Sequence, residues 1–140
     1  MSAALMMKLK YKKQIQTLIK VNKTHIQRQE SEILKLMGKK NRLLKDLDEK
    51  DKEIIQLDNE RTHFKVNYFK SIKKFGTVQI NHFRNHLSIF DAKIVDARSQ
   101  KDKVQTEIDA VQEEILKHKA ALKKYTFKNE KYDYLKTSYG

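Results

Sequence analysis

The sequence predicts an all-α chain, a single long antiparallel two-helix coiled-coil hairpin that turns near Gly76, and three observations lead there. Helix breakers are scarce: the 140 residues include no proline and three glycines, of which only Gly38 and Gly76 are internal. Hydrophobic residues make up 39% and charged residues 35%, a balance that suits long helices with one buried stripe better than a globular core. Apolar residues then recur on a seven-residue period through both halves, for longer than chance periodicity survives.

The first helix is expected over about residues 5–74. Its a column reads Leu5, Lys12, Ile19, Ile26, Ile33, Lys40, Leu47, Ile54, Arg61, Tyr68 and Phe75, and its d column includes Ile15, Asn22, Gln29, Leu36, Leu43, Leu57 and Phe64, with polar breaks at Lys8, Lys50 and Ser71. Gly38 falls at an outward f position, where a continuous helix with a cost of about 1 kcal/mol is expected. The turn is expected over about 75–78, with Gly76 the residue best able to take a positive φ. The second helix is expected over about 79–136. Thirteen of its sixteen a and d positions from Ile80 to Tyr132 are apolar or aromatic; Lys101, His118 and Asn129 are the others.

An antiparallel pair sets each a residue against a d residue, so the numbers of facing residues total a constant. A total of 151 satisfies both columns, centres the turn at Phe75 and Gly76, and sets Ile26 against Tyr125, Leu47 against Val104 and Ile33 against His118. It also pairs Asn22 with Asn129, two polar residues that are expected to satisfy each other and fix the register. Lys50 is then set against Lys101, with Asp51, Glu53 and Asp102 nearby to take up the charge. A homodimer of long helices is the alternative architecture.

The formal net charge of +13 calls for an acidic partner: nucleic acid, an anionic membrane or an acidic protein surface. Residues 1–30 carry +6 and residues 61–90 carry +6 with no acid at all, while 31–60 and 91–119 carry −1 each and 120–140 carry +3. Folded as a hairpin, this gives a basic closed tip, a near-neutral shaft and a basic open end. No cysteine is present, which removes disulfides and thiolate zinc sites and is compatible with the cytosol. No apolar run reaches the ~18 residues of a membrane span, no signal peptide is evident, and no catalytic constellation or cofactor loop is found, so neither enzymatic activity nor a cofactor is expected. His82 and His86, spaced i, i+4, are the one pair with metal-ligand spacing, but no third ligand accompanies them and solvated surface histidines are the expectation. The run DLDEKDKE reads as a solvated helix face.

Several apolar residues fall outside the seam. Val66 and Phe69 lie near the tip beside Lys70, Lys73 and Lys74, with Ile72 and Val78 at the margin. At the open end Phe127 and Tyr134 share column f beside Lys124, Lys128 and Lys131, and Met6, Met7, Leu9 and Tyr11 also stand off the seam. Apolar stripes among lysines suit partner surfaces; a local stutter that buries them is the alternative. A basic nucleic-acid-binding or scaffolding coiled coil remains open, although nucleic acid would favour one continuous basic face.

The mid-chain stretch FGTVQINHFRNHLSIFDAKI and the tail ALKKYTFKNEKYDYLKTSYG, on a two-helix chain of this size, resemble the YscO/FliJ (SctO) family. Its members are central stalk proteins of type III secretion systems and of the flagellar export apparatus. The resemblance implies a non-enzymatic, cytoplasmic protein at the cytosolic face of the bacterial inner membrane. Its open end would enter the hexameric export ATPase through Tyr11, Lys12, Lys13, Phe127, Lys128, Lys131 and Tyr134. Its tip would meet the cytosolic ring of the export gate through Phe69, Lys70, Lys73, Lys74 and Phe75. Substrate chaperones are further implied partners; specific nucleic acid and membrane insertion are not implied.

Overall fold

The computed structural model describes residues 2–73 and 76–139, with Tyr139 described by its backbone alone. Two helices account for nearly all of them, α1 (Ala3–Ser71) and α2 (Thr77–Tyr139), and they pack against each other; no strand occurs among the described residues. Lys74 and Phe75, two of the expected gate-facing residues, lie outside the described part of the chain.

Both helices start earlier than expected because each has a cap. The amide of Leu5 donates to Ser2 Oγ at 3.2 Å and that of Met6 to the Ser2 carbonyl at 3.1 Å, so Ser2 supplies the acceptors that the first turn lacks. Gly76 does the equivalent for α2, its carbonyl taking the Ile80 amide at 3.0 Å. Gln79 reaches back so that its Oε1 accepts the Gly76 amide at 3.2 Å, one half of a capping box. Contrary to the expectation of a positive φ, Gly76 adopts none. What its lack of a side chain provides is room: a Cβ here would lie 2.7 Å from Gln79 Oε1 and push that cap away. Residues 77 and 78, expected in the turn, are already helical, and α1 ends at Ser71 rather than near 74. There Ser71 Oγ donates to the Asn67 carbonyl at 2.8 Å. Gly38 is helical, with open space where a Cβ would stand.

The chain divides into two compact units: residues 1–40 with 111–140, and residues 41–110. The seam predicted from the heptads is where burial occurs in both. Among the described residues, all eleven buried side chains stand at a or d positions. In the first unit these are Ile15, Ile19, Asn22, Ile33, Val111, Ile115 and Asn129; in the second, Leu43, Ile94, Ala97 and Ile108. No described side chain outside those two columns is fully buried, because each helix has one neighbour and only one stripe to cover.

Polar residues on the seam are resolved by reaching sideways to the opposite helix. In the first unit Lys40 Nζ donates to Gln112 Oε1 at 2.7 Å, and His118 Nδ1 meets Gln29 Oε1, one turn from the expected Ile33. In the second, Lys50 Nζ donates to Gln100 Oε1 at 2.7 Å and to Glu53 Oε2 at 3.2 Å, Lys101 Nζ pairs with Asp51 Oδ1 at 2.6 Å, and Arg61 Nε with Asp91 Oδ1 at 2.8 Å. Lys50 and Lys101 therefore part, each to its own acceptor. Both carboxylates of the cross-helix ion pairs are about half solvated and neither cation is buried, so these bonds add little net stability. Asn22 and Asn129 are 6% and 9% exposed as expected of a polar layer, yet they do not satisfy each other: Asn22 Nδ2 and Asn129 Oδ1 both lack a hydrogen-bond partner.

Adjacent residues on α2 test the seam directly. Ile115 is 2% exposed and Leu116 56%. Ile115→Ala is expected to cost about 2–5 kcal/mol in urea unfolding, whereas Leu116→Ala should stay within about 0.5 kcal/mol. Equal losses at the two positions would contradict the assignment of the buried face.

Candidate partner-binding surfaces

The first unit concentrates the positive charge. Residues 1–40 carry ten Lys/Arg against two acids and residues 111–140 seven against four, a net +11, while residues 41–110 hold fourteen against twelve. On α2 of this unit Phe127 and Tyr134 are 68% and 72% exposed, two turns apart on one face. Phe127 borders a shallow depression with Lys119, Lys123, Lys124 and Glu130. Lys128 is exposed and holds its ammonium 5.9 Å from the centre of the Tyr125 ring, and that ring stacks on His25 at 4.8 Å with 12° between planes. Tyr125, set against Ile26 by the heptads, thus has its ring on the neighbouring His25, and Ile26 and Tyr125 are both half-buried. Lys131 is exposed as well. On α1, Tyr11 and Lys13 are exposed and border neighbouring shallow depressions, while Lys12, on the a column, is half-buried. A solvated lysine row with aromatic rings between its members can hold an acidic surface by charge and anchor it by apolar contact.

In the second unit the helix ends nearest the connection are built from rings. Phe64 stands 5.9 Å from Phe83 with 15° between planes, 5.1 Å from His86 with 14°, 5.6 Å from Tyr68 and 5.8 Å from Phe90. Tyr68 packs 5.0 Å from Phe83, and its hydroxyl donates to the Gln79 carbonyl. The a and d columns contained every one of the Phe and Tyr rings just named, so this cluster was readable in the heptads, although no functional reading was attached to it.

Two expectations for this end are corrected. Phe69 does not simply point away from the packing: 52% exposed, it also leans its ring on Phe83 at 5.1 Å and 57°. His82 and His86 are not both solvated. His86 is half-buried against Phe64, its Nδ1 donates to the His82 carbonyl at 3.1 Å, and the two imidazoles lie 4.3 Å apart. Among the described residues no group of three His, Cys, Asp or Glu side chains converges as a metal site would require. Lys70 and Lys73 are exposed. No helix is long and apolar enough to cross a membrane among the described residues.

Comparison with known protein families, characterised proteins and solved structures returns no match to this chain.

The ring geometry separates anchor from support. Phe69→Ala removes a half-exposed ring from the edge of Phe83 and should lower unfolding stability by about 1 kcal/mol, whereas Phe64→Ala removes the centre of the cluster and should cost about 3 kcal/mol or more. Urea denaturation of both variants checks this; a larger loss at Phe69 than at Phe64 would reverse the roles.

Proposed function

We propose that the two packed helices form an antiparallel coiled-coil hairpin that serves as the central stalk of a type III secretion apparatus. In this reading the end bearing both termini enters the pore of the hexameric export ATPase, and the end bearing the connection meets the cytosolic ring of the export gate at the inner membrane. The stalk then couples ATP hydrolysis to protein export without catalysing any step itself. The supporting observation is the pairing of charge and exposed aromatics in the first unit: Phe127 and Tyr134 stand outward beside Lys128 and Lys131 on a body of net +11.

An ATPase pore lined with carboxylates would draw the basic end in by long-range attraction. Two-helix packing leaves the f columns free to touch the pore wall, so aromatic side chains at f act on the ring without loosening the seam. In the second unit, Lys50 with Gln100 and Lys101 with Asp51 lie 2.7 and 2.6 Å apart across the helices. Polar pairs of this kind favour one register of the helices, which suits a stalk joining two partners. Descending α2 partners along ascending α1 positions (Lys50 with Gln100, Arg61 with Asp91, Tyr68 with Phe83) favour the antiparallel arrangement. Phe69, with Lys70 and Lys73 exposed beside it, is the proposed gate contact.

Titrating the chain into purified export ATPase at about 0.15 M salt should stimulate hydrolysis, and Phe127→Ala/Tyr134→Ala should abolish most of that stimulation while leaving helicity unchanged. A nucleic-acid-binding coiled coil would behave differently: tight duplex or RNA binding that persists at this salt, with no effect on the ATPase, would overturn the stalk reading.

A further inference from the structure

A second series with seam spacing runs along α1 beside the first. Ala4, Met7, Tyr11, Gln14, Leu18 and Val21 follow steps of three and four residues, each one position before a member of the a/d series. The two series exchange character along the helix. Where the a/d series offers Lys8 and Lys12, the second offers Met7 and Tyr11; only from Ile15 onward does the a/d series become the buried one. Met7, Leu18 and Val21 are 59%, 44% and 48% exposed, so the packing of α1 on α2 leaves this stripe in solvent. Depressions bordered by Met7, Tyr11 and Gln14, and by Gln14 and Leu18, follow its course.

Width and charge narrow what this face can hold. At 100° per residue, Met7 to Val21 span an arc of roughly 80°, the narrow seam of a helix–helix contact rather than the broader face that a helix lays into a bilayer. No acidic residue precedes Glu30 in the sequence. Lys10 borders the stripe, and at its far end the next step of the series is His25, stacked on the Tyr125 ring that Lys128 overlies. A second copy of the chain would bring one +11 unit against another. Nucleic acid has no use for a row of aliphatic side chains. We propose that this face is the docking site for an acidic amphipathic helix of another protein, laid along residues 4–21 of α1 with apolar side chains between Met7, Tyr11, Leu18 and Val21 and carboxylates toward the flanking lysines. The proposal does not depend on the stalk reading, and its test contains no ATPase.

The probe is a fluorescein-labelled synthetic helix of about three heptads, with Leu at a and d and Glu at e and g, titrated with the full-length chain and followed by anisotropy. Saturable binding is expected, weakened roughly tenfold or more by Leu18→Glu/Val21→Glu and unchanged by Leu34→Glu, whose side chain is 71% exposed and off the stripe. Circular dichroism melting should be the same for all three proteins, since the substituted side chains are not part of the buried seam. Equal binding by a probe with Lys in place of Glu would overturn the acidic character of the partner, and unaltered binding by the double variant would overturn the location. The helix would also be the wrong occupant if phosphatidylglycerol-containing vesicles bound through the same two residues while the Glu probe did not. Sedimentation showing self-association that the double variant removes would overturn it in favour of a second copy.

Discussion

Each helix of this chain has one neighbour, so burial is confined to a single stripe, and the rest of the structure answers to that limit. A helix packed on one partner can remove only its a and d side chains from water; the other five columns of the heptad stay at least partly solvated. The eleven buried side chains obey this without exception among the described residues. A stripe this thin cannot dilute a misplaced polar group among apolar layers. Lys40, Lys50, Arg61 and Lys101 therefore bend out to acceptors on the flanks of the opposite helix. Their alkyl stems cover the seam while the charge stays near solvent. Asn22 and Asn129 are too short to do the same, and each keeps one unpartnered atom, a donor on one and an acceptor on the other.

The same limit makes the surface large in relation to the core, and it is there that the two units differ. One carries nearly all of the net charge together with outward Phe127 and Tyr134 and the exposed Met7, Leu18 and Val21. The other is close to balanced and closes on an interlocked group of rings around Phe64. A stalk joining two partners would use this asymmetry: electrostatic capture with aromatic anchoring in one unit, and a stiff aromatic support for Phe69 in the other.

The seam was legible in the sequence because it depends only on side-chain period, and the period survives polar interruptions. Ile15, Ile33, Ile94 and Ile115 were placed by spacing alone and are buried. What spacing could not supply was the reach of individual side chains. Asp51 and Glu53 were expected to take up the Lys101 and Lys50 charges and do so, but position alone does not say that Gln100, one step from Lys101, will also reach Lys50. His86 and Phe69 read as outward for a related reason: a ring at the edge of the seam covers more than its own column, and both lean on the Phe64 and Phe83 rings. The role of Gly76 was misread because its backbone is ordinary, and its value lies in the space left for the Gln79 cap. Phe127 and Tyr134 were legible as exposed apolar residues among lysines, while the second series through Met7 and Val21 was hidden by being one residue out of phase with the seam.

The most direct measurement is intramolecular cross-linking across the seam. With cysteine absent from the sequence, pairs can be introduced cleanly at Ile26 with Tyr125 in the first unit and Leu47 with Val104 in the second. Oxidation in dilute solution should join both pairs within one chain, giving monomers of altered mobility on non-reducing gels, while a pair displaced by a heptad, such as Ile33 with Tyr125, should remain open. Products linked only between chains, or equal cross-linking of the displaced pair, would contradict a hairpin held in a single register.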